Sequence, residues 1–173
     1  MSKFVLIDGH SILNRAFYGV PIFTNSEGLH TNAVFGFLNI MFKIIDSKQP
    51  DYMAVAFDVH QPTFRHEMFK DYKGTRKPMM EELREQVPVI KELLQKMNIT
   101  TVELPGYEAD DVIGTLSKKG EKAGMEVDVI SGDRDLLQLA SDHITICIPK
   151  TKKGQTTVEE YNTEGVRKLY KVT

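Results

Sequence analysis

What this sequence has little of narrows its chemistry first. It holds a single cysteine, Cys147, so no internal disulfide can form, and the apolar neighbours Ile146 and Ile148 read as a buried strand position where the thiol is inert packing. Its apolar runs are short, as in Phe4-Val5-Leu6-Ile7, far below the roughly 20 residues needed to cross a bilayer. No membrane partner is expected. The amino terminus passes from Met1-Ser2-Lys3 into that run and meets Asp8 at once, leaving no signal-peptide core, so a cytoplasmic location is expected. There is no cysteine cluster or histidine-rich motif to hold zinc. An excess of positive charge is also lacking: 22 Lys and Arg stand against 24 Asp and Glu, a net charge of −2. Global attraction to phosphate is therefore not the organising feature.

What is present is segregated charge. Between Arg65 and Lys77 lie Arg65, Lys70, Lys73, Arg76 and Lys77 against only Glu67 and Asp71, while carboxylates gather in other short segments. With 173 residues and 41% hydrophobic content, the chain can bury one sizeable core, so one globular domain, monomeric, is expected.

Short apolar runs alternate with segments of helical period, which predicts an α/β fold with a mostly parallel central sheet flanked by helices. Strands are expected at Phe4–Ile7, Tyr52–Phe57, Thr100–Glu103, Val127–Ile130 and Ile144–Ile148. Helices are expected over Asn32–Ser47, with Val34, Phe35, Leu38, Met41, Phe42 and Ile45 on one stripe, and over Met79–Met97, where Pro88 marks a kink or the true first turn. Two more follow, Tyr107–Lys122 and Asp133–Ser141. Lys150–Thr157 reads as a polar turn, and Asn162 as the cap of a short helix reaching Tyr170.

Three aspartates stand just past the carboxyl ends of predicted strands: Asp8, Asp58 and Asp133. In a parallel sheet those ends share one edge, where α/β proteins place their ligands. Taken singly, each reads better as a helix cap or turn residue. Glu108, Asp110 and Asp111 at a helix start can in part be assigned to the macrodipole. Together with Asp135, however, they make a density of negative charge that repels itself unless cations intervene. Oxygen-only donors favour Mg²⁺ or Mn²⁺ over zinc. Two such ions about 4 Å apart form the clamp used for in-line attack on phosphodiesters.

The strings Leu6-Ile7-Asp8-Gly9-His10, Ala56-Phe57-Asp58, Phe64-Arg65-His66-Glu67, Tyr72-Lys73-Gly74-Thr75-Arg76, Pro105-Gly106-Tyr107-Glu108-Ala109-Asp110-Asp111 and Ser131-Gly132-Asp133-Arg134-Asp135-Leu136 stand in order along nearly the whole chain. As an ordered set they resemble the 5′-nuclease domain of bacterial DNA polymerase I, within the flap-endonuclease family. The resemblance implies a three-layer PIN-like or resolvase-like fold with a helical arch or clamp over about 62–80. It also implies a two-metal phosphodiesterase that acts on DNA with a free 5′ end: flaps, nicks and RNA-primer remnants, in replication and repair. Asp8, Asp58, Glu108 and Asp110 would chiefly hold the first Mg²⁺ or Mn²⁺, and Asp111, Asp133 and Asp135 would complete that site or hold the second. Asp58, Asp110, Lys73 and Arg76 would carry catalysis. Arg65, Lys70, Tyr72, Lys73, Arg76 and Lys77 would follow the nucleic acid, positive groups on phosphate and aromatic rings on unpaired bases.

Tyr18 and Tyr107 stay open between core and base stacking, and His10 between a turn residue and a neighbour of the metals. Asn14 and Arg15 could reach the 5′ strand or only solvate a helix. In the family a helix–hairpin–helix module follows and supplies further aspartates; the expectation is that residues 1–173 lack it, with a polymerase domain possible in a longer natural chain. Two rival readings are a catalytically impaired nucleic-acid-binding fragment and a PIN-type ribonuclease.

Overall fold

Consecutive burial along the central strands, with successive residues facing opposite sides, builds a sheet with a core on both faces. The computed structural model describes residues 1–59, 63–74, 77–152 and 155–172. Its strands are β1 (Lys3–Asp8), β2 (Tyr52–Ala56), β3 (Thr100–Val102), β4 (Glu126–Ile130), β5 (Ile144–Lys152) and β6 (Gln155–Tyr161), in one six-stranded sheet of order β3-β2-β1-β4-β5-β6. Every pair is parallel except β5 with β6. On β1, Val5 and Ile7 enter one core and Leu6 the other; on β2, Val55 enters the first and Ala54 and Ala56 the second. Such two-sided burial is what a central parallel strand requires.

The first core is covered by α1 (Gly9–Gly19), α2 (Asn32–Lys48) and α5 (Gln86–Lys96), through Ile12, Leu13, Phe37, Ile40, Ile44, Ile90 and Leu94. The second is covered by α6 (Ala109–Lys122) and a 3-10 helix, Arg134–Leu139, through Val112, Ile113, Leu136 and Leu137. The short helices α3 (Phe64–Met68) and α4 (Glu81–Arg84) lie between β2 and α5, and α7 (Thr163–Tyr170) follows β6. The result is the expected three-layer α/β fold. Among the described residues no helix is long and apolar enough to cross a membrane.

Several details differ from the sequence reading. Of the expected 150–157 turn, residues 150–152 and 155–157 belong to the paired strands β5 and β6, with Pro149 paired to Val158 and Thr151 to Thr156, and residues 153–154 lie outside the described residues. β-branched threonines suit the pleat, and an edge strand needs only one apolar face. The buried face of α2 is turned by about one residue from the expected stripe. Phe35 and Phe42 are exposed, while Ala33, Phe37, Ile40 and Ile44 are buried. The expected 79–97 helix divides at Glu85, and Pro88 falls in the first turn of α5, the second of its two expected readings, where its missing N–H costs nothing. The helix after Asp133 is 3-10 rather than α, and α1 was not among the expected elements.

The N-terminus of α2 has no cap of its own, since Thr31 makes no side-chain cap bond. Gln86, fully buried at the start of α5, supplies it: Oε1 accepts from Ala33 N (2.8 Å) and Val34 N (3.1 Å), and Nε2 donates to Asn32 Oδ1 (2.9 Å) and the Glu82 carbonyl (2.8 Å). One amide thus satisfies two orphan helix donors and joins two elements.

Candidate metal and nucleic-acid site

The strand order reverses between β1 and β4, and at such a switch point diverging loops leave a crevice at the carboxyl ends. A cleft of about 960 Å³ opens there, and Asp8, Asp58, Glu108, Asp110, Asp133 and Asp135 all line it. Asp8 ends β1 and caps α1, its carboxylate accepting from Ser11 N at 3.4 Å. The next residue must be small: a Cβ on Gly9 would lie 2.5 Å from the Phe57 ring and 2.9 Å from the Ala56 carbonyl. Asp58 follows β2 and accepts the Ala109 N–H at 2.6 Å, tying the start of α6 to the sheet edge. Glu108 is the N-cap of α6 and Asp110 lies in its first turn. Asp133 caps the 3-10 helix by accepting from Asp135 N at 2.9 Å.

Ser131 joins two of these elements. Its hydroxyl donates to Asp8 Oδ2 at 2.8 Å and accepts from Asp133 N at 3.0 Å, while Ser11 Oγ accepts from Gly132 N at 2.8 Å. The Arg15 guanidinium lies over Gly132 so closely that a Cβ there would be 2.8 Å from it, which holds Arg15 in the cleft wall beside Asn14.

Burial pushes the Asp8 carboxyl up to about 7 against the lowering effect of the Ser131 hydroxyl, with the Asp110 and Asp58 charges adding to the rise. Burial and then the charges of Asp133, Asp58 and Glu108 push Asp110 up to about 6. Asp111 behaves oppositely: the Arg65 guanidinium, hydrogen-bonded to both oxygens at 2.8 Å, holds its carboxyl below the usual range. Asp111 also accepts from Glu108 N at 3.0 Å and lines a second groove of about 1020 Å³ rather than the carboxylate cleft.

The carboxylates facing the cleft offer hard oxygens, and Asp8 and Asp110 are destabilised as anions by burial and by the neighbouring carboxylates. That donor set fits Mg²⁺ or Mn²⁺.

The described part of the basic segment meets this site at Glu108. Arg65 Nη1 is 3.2 Å from Glu108, the Tyr72 hydroxyl 3.4 Å from it, and Lys73 is ion-paired to its other oxygen. Lys77 lines the cleft. Lys70 is exposed and is not among the residues lining either cavity, and Arg76 lies outside the described residues. The segment is docked by Phe64 N donating to the Gly106 carbonyl (3.0 Å) and by Phe64 against Tyr107 (5.7 Å between rings). Tyr18 and Tyr107 are both exposed rather than core, and Tyr18 lines the cleft. His10 sits beside the carboxylates: its Nδ1 accepts from Asp58 N (3.1 Å) and is 3.8 Å from Asp58 Oδ2.

Sequence reasoning gave no role to Ser131 or Ser11, although Ser131 stood inside a quoted motif. It also passed over a second cluster, Asp128, Cys147 and Glu160. That cluster already holds a cation of the protein's own, the Lys48 ammonium, 3.4 Å from Asp128 and paired with Glu160. Burial pushes the Cys147 thiol far up, consistent with inert packing.

The chain is similar to DNA polymerase I of Bacillus caldotenax, at 52% identity over 171 residues, which are 99% of this chain and 19% of that protein. It is also similar to the 5′-3′ exonuclease of Aquifex aeolicus, at 41% identity over 86% of this chain and 52% of that one. The chain thus spans about a fifth to a half of the length of these relatives. Its fold matches that of the bacteriophage T5 flap endonuclease crystallised with DNA and metal ions, with a TM-score of 0.70 at 23% identity, over 98% of this chain and 60% of that one. Residues 3–171 match the model of the 5′-3′ exonuclease N-terminal resolvase-like domain, and the chain belongs to that family.

Proposed function

We propose that this chain carries the carboxylate cleft of a divalent-metal-dependent 5′-nuclease that hydrolyses phosphodiester bonds near free 5′ ends of DNA, as in flaps, nicks and primer remnants. The observation that supports this reading above all is the gathering of six carboxylates from four separate segments into one cleft. Cations of the same protein stand at its rim. In this reading Asp8, Asp58, Glu108 and Asp110 hold one Mg²⁺ or Mn²⁺, and Asp133 and Asp135 contribute to a second. Asp111 remains a candidate ligand that Arg65 would have to release. Bound there, such ions acidify water and neutralise charge on a departing oxygen.

The chain's own groups do the rest. Lys73, Arg76 and Lys77 bind the phosphates flanking the cut, Arg65 and Lys70 extend the positive track, and Tyr72 offers a ring for an unpaired base. Arg15 and Asn14 line the same cleft, and in this reading they bind the same strand.

The test is Mg²⁺-dependent cleavage of a 5′-flap DNA by the parent and by Asp58→Asn. The expected result is loss of turnover by Asp58→Asn with DNA binding retained. DNA binding without cleavage by the parent would instead favour a binding fragment, and preference for single-stranded RNA a PIN-type ribonuclease.

A further inference from the structure

We propose that Ser131 is a positioning residue whose hydroxyl, bridging the Asp8 carboxylate and the Asp133 backbone, sets the spacing between the two halves of the carboxylate cleft. The inference rests on the reading of that cleft as a divalent-cation site. A serine hydroxyl has one proton. At 2.8 Å from a carboxylate oxygen, with Ser131 fully buried and Asp8 nearly so, that proton is committed to Asp8 Oδ2. The lone pairs then face the Asp133 N–H at 3.0 Å. One oxygen atom therefore ties a side chain at the end of β1 to the main chain just beyond the end of β4.

The strands do not need this atom in order to pair. Leu6 already stands opposite Val129 and Ile7 opposite Ile130 in the parallel ladder. What the backbone register leaves free is the rotation of the Asp8 carboxylate and the path of the chain from Ile130 to Asp133, and the hydroxyl restrains both. Ser11 supports the same turn from the other side. Its Oγ accepts from Gly132 N at 2.8 Å and lies 3.3 Å from Ser131 Oγ, but it does not itself bridge Asp8 to Asp133. Groups that hold a ligand's second oxygen in this way characteristically tune cation affinity rather than only fold stability.

The experiment is a Mn²⁺ titration of the chain, read as free Mn²⁺ by electron paramagnetic resonance, with urea unfolding of each protein alongside. Ser131→Ala is expected to weaken Mn²⁺ binding by about 10- to 100-fold, Ser131→Thr to restore most of it, and Ser11→Ala to weaken it far less. Should Ser131→Ala not fold, Ser131→Cys, which fills the site with a weakly donating thiol, takes its place with the same expected loss. Parent-like Mn²⁺ affinity in a folded Ala or Cys variant overturns the proposal alone. So does a Ser11→Ala variant that loses as much affinity as Ser131→Ala at equal stability. A parent that binds no Mn²⁺ overturns the metal reading and this inference with it.

Discussion

The Lys73 ammonium is ion-paired with the Glu108 carboxylate, 35 residues further along the chain, at the N-cap of α6. The other Glu108 oxygen accepts from Arg65 at 3.2 Å and from the Tyr72 hydroxyl at 3.4 Å. Three side chains of one basic segment therefore converge on a single carboxylate, and the protein supplies its own counter-ions to the outer edge of the cleft. The same lysine is the group assigned above to phosphate. It cannot hold both at full strength, so DNA that draws Lys73 away would leave Glu108 more available to a metal ion.

Lys73→Ala should accordingly have two effects of opposite sign. Without DNA, Mn²⁺ binding should tighten severalfold, because a competing cation has gone. Cleavage of a 5′ flap should fall by about 100-fold or more, as when a positioned group that stabilises developing charge is removed. Calorimetric Mn²⁺ titration and single-turnover cleavage measure the two. Metal affinity that is unchanged or weaker would show that the lysine does not compete for Glu108.

The contribution of Asp8 and Asp110 to the stability of the metal-free chain should fall as pH rises from about 4 to about 7. Asp8 and Asp110 titrate near 7 and 6 in the fold against 3.8 when unperturbed, so over that window the folded state binds more protons than the unfolded one. Asp111 works the other way, its contribution being present at neutral pH and lost in acid. Asp8→Asn and Asp110→Asn should each flatten the decline and raise the urea midpoint at pH 7. Saturating Mg²⁺ should stabilise the parent there by mass action. A slope the same in parent and variants would contradict the arrangement.

Gln86→Ala should destabilise the protein by about 2–4 kcal/mol, since it strands two buried helix donors and the Asn32 side-chain Oδ1. Gln86→Glu keeps an acceptor for Ala33 N and Val34 N but, when ionised, loses both donations, so it should rank between parent and Ala. Urea unfolding checks both. A cost for Gln86→Ala within the scatter of surface substitutions would mean that α2 finds another cap.

The layered fold was legible because two-sided burial leaves continuous apolar runs such as Val5-Leu6-Ile7, and because Asp8 and Asp58 follow such runs directly and Asp133 follows one after Ser131-Gly132. The face of α2 was not. Phe35 and Phe42 are as apolar as Phe37, so on a helix rich in apolar residues hydrophobicity alone does not choose the side. The edge strand β6 escaped because its alternation of Thr, Val and Glu is that of a solvated face. In the site, carboxylates declare themselves by charge. The groups that aim them do not: Ser131 is an ordinary polar residue until its distances to Asp8 and Asp133 are known, and the engagement of Asp111 by Arg65 depends on a fold-back no spacing encodes.

The central pairing of β1 with β4 also bears on when a site can exist at all. Asp8 and Ser131 are separated by 123 residues, so the two halves of the cleft meet only after loop closure over most of the chain. Contacts of such sequence separation are entropically late in folding. A chain still emerging from the ribosome, with β1 and β2 made but β4 not yet available, has Asp8 and Asp58 without Asp133 and Asp135. On the proposed reading, assembly of the carboxylate cleft, and any cleavage it performs, waits for the finished topology.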